Sequence, residues 1–236
     1  MEKIVEELFD KLNNEITKYN PYYNKDLINW AFLFAYEAHK WVFRKSWEPY
    51  IIHPLNTAIN LTRIEADEDS IIWAILHDVC DNSEYSLSDI EKNFWQDVRK
   101  LVEWVIKLWE LYYKTEMSKE EVDILRKSLV SVWEDIRIFL IKIADRLHNL
   151  ETLEFLPKNK RYRIAKETEQ IYIPIINFLS IWEFMTEFHD LCFKYEDEKE
   201  YKKLFKIFGK NQESYERAII EANNVLEKEL KKEKID

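Results

Sequence analysis

The sequence predicts an all-α fold. Apolar residues recur at helical spacing from end to end, no run alternates at the period of a strand, and glycine is nearly absent. The single glycine, Gly209, stands in a chain of 236 residues, where average usage of ~7% would give roughly sixteen. Helices dispense with glycine more readily than turns and strands do.

The elements follow in order. Residues 2–19 carry Ile4, Val5, Leu8, Phe9, Leu12 and Ile16 on one face, and Asn20-Pro21 stops that helix. Residues 25–39 repeat the pattern through Leu27, Ala31, Phe34, Ala35 and Ala38. A basic loop runs from Lys40 to Pro49. Residues 51–63 form a helix with Pro54 in its first turn, where a missing N–H costs little. Residues 68–80 read as one apolar helix entered through Asp67-Glu68-Asp69, acidic residues suited to a helix N-terminus. Ser86 caps a short helix through Ile90, with Asp89 at the capping-box position. Helices follow at 95–111, 121–132 and 135–150. Two more are expected at 160–178 and 181–195. From Asp197 the composition turns to Glu and Lys, giving helices at 198–208 and 211–233. The expected division is therefore a main domain at 1–196 and a charged helical extension at 197–236.

Composition excludes several classes of function. With 35 basic and 45 acidic residues the formal charge is −10, unsuited to general binding of a nucleic-acid polymer or an acidic membrane. Two cysteines, Cys80 and Cys192, support neither a disulfide scaffold nor a cysteine zinc finger. No apolar run reaches the length of a membrane span, and the charged start is unlike a signal peptide. A cytoplasmic setting is expected.

The chemistry concentrates at histidines and aspartates that sit in apolar helices. His77-Asp78 ends one such helix, Asp145 lies inside Ile136–Leu147, and His53 comes from a third. A carboxylate there is costly unless it is paired or binds a metal. Asp145 has an ordinary explanation in a salt bridge to Lys142 or Arg146, and His148 and His189 read as structural, His148 as a brace behind the site. Two histidines and two aspartates would form a mixed nitrogen–oxygen set suited to Mn²⁺, Fe²⁺ or Zn²⁺ better than to calcium.

The order of these residues resembles a known family. His53, then Ala74-Ile75-Leu76-His77-Asp78-Val79, then Ile143-Ala144-Asp145-Arg146-Leu147-His148-Asn149 is similar to the HD-type hydrolase domain of the RelA/SpoT homologues. Phe43-Arg44-Lys45-Ser46 and Glu48-Pro49-Tyr50-Ile51-Ile52-His53-Pro54 are similar to that family's loop and first motif, and the likeness extends over roughly 25–200. The resemblance implies an HD-domain-like helical bundle. It also implies Mn²⁺ held by His53, His77, Asp78 and Asp145, with guanosine tetra- or pentaphosphate bound by Arg44, Lys45, Ser46, Asn149 and Thr152. The implied reaction removes the 3′-pyrophosphate, leaving GDP or GTP. Alarmone synthesis is not expected of these residues, which read as a small stand-alone hydrolase or as a fragment of a longer bifunctional protein.

Two departures from the family pattern carry consequences. The catalytic pair that the family writes Glu-Asp reads Asp81-Asn82 here, and an amide cannot act as a general acid or base. The implied alternative is an alarmone-binding module with weak or absent turnover. In addition, Trp41, Trp47, Trp95, Trp104 and Trp109 stand where the family usually has glycine. Nine tryptophans beside one glycine lead to the expectation that UGA codons specifying glycine underlie these positions.

Overall fold

The computed structural model describes residues 2–86, 89, 92 and 135–233. The helices expected at 95–111 and 121–132, most of the element at 86–90, and Trp95, Trp104 and Trp109 lie outside the described residues. So do the side chains of Asp81 and Asn82. Among the described residues the protein is helical, with one isolated antiparallel bridge, Phe43 to Pro49.

Helix α1 (Lys3–Tyr19) buries Val5, Leu12 and Ile16 along one face. Helix α2 (Lys25–Ala38) starts at Asn24, whose side-chain oxygen accepts the Leu27 amide at 3.1 Å. Helix α3 (Ile52–Thr62) is buried almost all round and lies at the centre, packed against α1, against α4 (Glu68–Leu76) and against α6 (Arg137–Glu151). Its polar side chains are buried with it and turn to backbone carbonyls, Asn60 Nδ2 donating to Ala144 at 3.4 Å and Thr62 Oγ1 to Ile59 at 2.7 Å. Asp67 caps α4 by accepting the Ser70 amide at 2.8 Å. The Arg137 guanidinium, which pairs with Asp135, also reaches Asp67 at 3.1 Å and so ties the start of α6 to the start of α4.

The helix expected at 68–80 is two pieces. α4 ends at Leu76, His77-Asp78 form a turn, and a short helix α5 (Val79–Asn82) follows. Asp78 has φ −99° and ψ 1°, off the helical values, so the two side chains leave the axis where the ladder is broken. A continuous helix would aim them about 100° apart.

Beyond α6, a 3₁₀ turn (Leu153–Phe155) leads into α7 (Lys158–Glu167), a π turn (Thr168–Tyr172) and α8 (Ile173–Phe178). α9 (Trp182–Glu196) and α10 (Glu198–Glu233) complete the chain. The two helices expected at 198–208 and 211–233 are one. Gly209 has no positive φ and lies inside the helix instead of ending it. Residues 1–192 form one compact unit and 193–236 a second. No described helix is long and apolar enough to cross a membrane.

Among the described residues four that are not glycine have left-handed backbones: Trp41, Trp47, Glu65 and Ser180. Glu65 and Ser180 end helices in the position where glycine is usual. The Ala66 and Ile181 amides reach back to Leu61 and Ile176 in the six-to-one pattern of such stops. Trp41 (φ 69°) and Trp47 (φ 66°) lie in the 40–50 loop and are 83% and 85% exposed. A large aromatic residue in this region is an outlier, and burial does not offset its steric cost.

Candidate metal centre and adjoining pocket

Four side chains converge where α3, the α4–α5 turn and α6 meet. One ligand atom from each of His53, His77 and Asp78 lies within 4.8 Å of the others. Asp145 completes the group: its Oδ1 is 3.1 Å from His53 Nε2 and 3.8 Å from His77 Nε2. Asp78 Oδ2 is 3.6 Å from His53 Nε2 and 3.3 Å from His77 Nε2. His53, His77 and Asp145 are buried.

Each ligand candidate is fixed from behind. His77 Nδ1 donates to the Ala74 carbonyl at 2.7 Å, so its Nε2 carries the lone pair in that tautomer. That Nε2 is buried and has no hydrogen-bond partner, although Asp78 Oδ2 stands nearby. The Tyr50 hydroxyl donates to Asp78 Oδ2 at 2.7 Å. Asn149 Nδ2 donates to Asp145 Oδ1 at 2.7 Å, and Lys142 Nζ lies 3.5 Å from Asp145 Oδ2. A buried imidazole nitrogen without a partner, facing two carboxylates, is the arrangement that a divalent cation satisfies. Two nitrogens and two carboxylates suit a borderline transition dication.

The electrostatics agree. Burial pushes the Asp78 carboxyl upward, yet the His77 and His53 imidazoles outweigh it and hold the group below the usual carboxylate range. Burial also opposes ionisation of Asp145, which Lys142 and the two imidazoles keep well below its ordinary value. His77 is raised: burial works against its charge, but Asp78 and then Asp145 prevail. Burial and then Asp78 hold the Tyr50 hydroxyl far above the usual phenol range, so it remains a donor.

A pocket of about 460 Å³ adjoins this centre. Arg44, Lys45, Ser46, Asn149 and Thr152 all line it, together with Tyr50, Phe43, Arg146, Arg163 and Glu167. Arg44 Nη2 donates to Asn149 Oδ1 at 2.9 Å and to Thr152 Oγ1 at 3.4 Å. Asn149 therefore touches both the loop arginine and a carboxylate of the cluster. Ser46 Oγ bonds Glu48 at 2.8 Å, and Lys45 is exposed at the rim. The wall opposite is built by Arg146, whose guanidinium donates to Glu167 at 2.6 Å and to the Tyr172 hydroxyl at 3.1 Å across the π turn. Arg146 is thus committed to Glu167, and Asp145 has Lys142 as its cation.

Asp81 and Asn82 close the short helix α5, directly after the His77-Asp78 turn. Tyr50 and His39 gain a place that residue types alone did not assign, while His148 stands behind the site as its spacing from Asp145 led one to expect. Tyr50 sits three residues before His53, the spacing that puts two side chains on one face of a helical turn. His148 follows Asp145 by three on α6, and its Nδ1 lies 2.8 Å from His53 Nδ1. Burial, then His53 and Arg44, push the His148 imidazole down to about 3. His39 is buried with neither ring nitrogen hydrogen-bonded, its ring 4.9 Å from that of Tyr50. His189, by contrast, is exposed.

Comparison with known proteins places this arrangement among relatives. A family model described as HD domain matches residues 31–182. The chain is 39% identical over 193 residues to a guanosine-3′,5′-bis(diphosphate) 3′-pyrophosphohydrolase of Aquifex aeolicus, covering 80% of this chain and 27% of the relative. It is 38% identical over 187 residues to the bifunctional (p)ppGpp synthase/hydrolase SpoT of Escherichia coli, covering 79% and 26%. The chain therefore spans about a quarter of the length of these curated relatives. Among solved structures, a metazoan ortholog of SpoT aligns with a TM-score of 0.54 at 21% identity, covering 72% of this chain and 95% of that one. That likeness establishes the fold.

Proposed function

The chain belongs to the HD-domain family, and from that membership we propose that it is a (p)ppGpp 3′-pyrophosphohydrolase that uses Mn²⁺. The observation that carries the reading is the continuity between centre and pocket, where Asn149 bonds Asp145 on one side and Arg44 on the other. Relatives bearing the hydrolase name supply the substrate class.

In this reading His53, His77, Asp78 and Asp145 hold the cation. When bound, it supplies Lewis acidity toward a phosphate oxygen and toward the attacking water. The chain's own residues do the rest. Arg44 offers a planar cation to the face of a purine, and Lys45 and Ser46 add a charge and a hydroxyl at the rim. Asn149 and Thr152 present polar groups toward the base edge. Arg146 is locked against Glu167 and shapes the wall without offering its charge. The oxygen of water forms a new bond to the phosphorus attached at the 3′ oxygen. The bond between that oxygen and phosphorus breaks, the 3′ oxygen takes a proton, and pyrophosphate leaves. In this reading Asp81 takes, by its place after His77-Asp78 in the sequence, the role of accepting the proton of the attacking water.

Asn82 favours a second reading, binding of the alarmone with little turnover, because an amide neither gives nor takes a proton at neutral pH. One experiment separates the two. Protein freed of metal is given ppGpp with and without Mn²⁺, and GDP and pyrophosphate are followed by anion-exchange chromatography. Mn²⁺-dependent release of both supports the hydrolase. Tight ppGpp binding without release supports the binding module. In that case Asn82→Asp is expected to raise the rate at least 10-fold, since a positioned acid or base contributes about 10²–10⁴.

A further inference from the structure

One nitrogen joins the metal centre to the nucleotide loop. His148 Nδ1 lies 2.8 Å from His53 Nδ1 and 3.3 Å from Arg44 Nη1. A guanidinium donates and never accepts. His148 Nδ1 is therefore the acceptor in both contacts, and the proton between the two imidazoles belongs to His53 Nδ1. This leaves His53 Nε2 with its lone pair directed at Asp145 and Asp78. Imidazoles that bind metals are usually oriented in this way by a carboxylate or a carbonyl. Here the orienting group is a second imidazole, buried, with only one lone pair on Nδ1 to divide between two donors.

We propose that His148 is a positioning residue that couples the two halves of the site: it sets the ligating tautomer of His53, and Arg44 competes with His53 for the same acceptor. The inference rests on the reading of His53 as a metal ligand. Movement of Arg44 away from His148, as in packing against a base, leaves the lone pair to His53 alone and firms its orientation. Occupancy of the loop and affinity for the cation then rise together, and linkage requires the effect to be reciprocal.

The test titrates Mn²⁺ alone into metal-free protein, by calorimetry or by loss of the free-ion EPR signal, without nucleotide. His148→Asn places an oxygen acceptor near the position of Nδ1, whereas His148→Gln carries the same amide to the position of Nε2. Mn²⁺ affinity is expected to stay within about threefold of wild type in H148N and to fall about 10–100-fold in H148Q and H148F. Arg44→Ala alone is expected to tighten Mn²⁺ binding several-fold, and at least half of that gain should vanish in the H148F background. Melting curves of the metal-free variants establish folding. If H148F does not fold, the contrast between H148N and H148Q still decides, because they differ only in where the acceptor stands. Equal affinities in H148N and H148Q, or an undiminished Arg44→Ala gain in H148F, overturn the proposal. Absence of Mn²⁺ binding by wild type overturns the metal reading itself, and absence of ppGpp hydrolysis touches only the proposed function.

Discussion

The His/Asp cluster and the 40–50 loop lie against each other and are built on opposite terms. The cluster takes its side chains from α3, the α4–α5 turn and α6, and each is fixed from behind by Ala74, His148, Tyr50 or Asn149. The loop is held by one bridge, Phe43 to Pro49, by turn bonds such as Trp47 N to Arg44 O at 2.9 Å, and by the Arg44 side chain on His148, Asn149 and Thr152. Its largest side chains face solvent, and two of its residues are left-handed. The candidate ligands sit on or beside packed helices, where neighbours restrict their rotamers. Groups that must meet a ligand face sit on a loop that can adjust.

The largest expected effect contrasts the two regions directly. Asp145→Asn should weaken Mn²⁺ binding at least 100-fold and reduce hydrolysis at least 1000-fold. Arg44→Ala should leave the cation bound and raise KM for ppGpp about 10-fold, the scale of a desolvated cation–π contact. Mn²⁺ titration beside steady-state kinetics reads both. Loss of Mn²⁺ binding in the loop variant would erase the distinction.

A smaller effect concerns the strip between them, where His39 packs on Tyr50. Burial lowers the His39 pKa to about 4, against a raising pull from Asp78. Its folded pKa lies below its ordinary value of 6.5, so the folded state binds fewer protons than the unfolded chain between pH 4 and 6.5. The stability it confers is complete above pH 6.5 and is lost as the pH falls toward 4, by about 3 kcal/mol at most. Urea midpoints of metal-free wild type and His39→Phe, compared at pH 7 and pH 4.5, should show a steeper fall in wild type. Parallel falls would remove His39 from the account.

The smallest effect belongs to the loop alone. Trp41→Gly and Trp47→Gly should each raise stability by roughly 0.5–1 kcal/mol, since the left-handed penalty of ~1–2 kcal/mol outweighs the chain entropy of glycine. Trp30→Gly, within α2, should lower stability by a similar amount. Thermal melting distinguishes the two signs. The gene is expected to carry UGA at codons 41 and 47; UGG there would refute that origin while leaving the steric prediction in force. Trp73 adds to the case from the core, where its indole N–H is fully buried and has no acceptor.

Much of this protein was legible from residue order alone. Helical periodicity identified α1, α2, α3 and α6 to within two residues at each end, because each buries one stripe or a whole surface and the apolar spacing records it. His53, His77, Asp78 and Asp145 stood out because charged and polar groups in apolar helices demand a partner. What periodicity misread was the end of α4, where a run of helix-compatible residues conceals a two-residue turn, and Gly209, where a residue that permits a stop is carried through a helix.

Chain order by itself determined the elements, the residues with unmet polar demands and the basic character of the loop, since each of these is set by local spacing and composition. Only the tertiary structure decided that Asp145 faces two imidazoles from other helices while its neighbour Arg146 turns to Glu167, and that His148 serves His53 and Arg44 with one nitrogen. Those pairings join residues from about twenty to about a hundred positions apart, and their geometry comes from how separate elements pack, which no local pattern encodes.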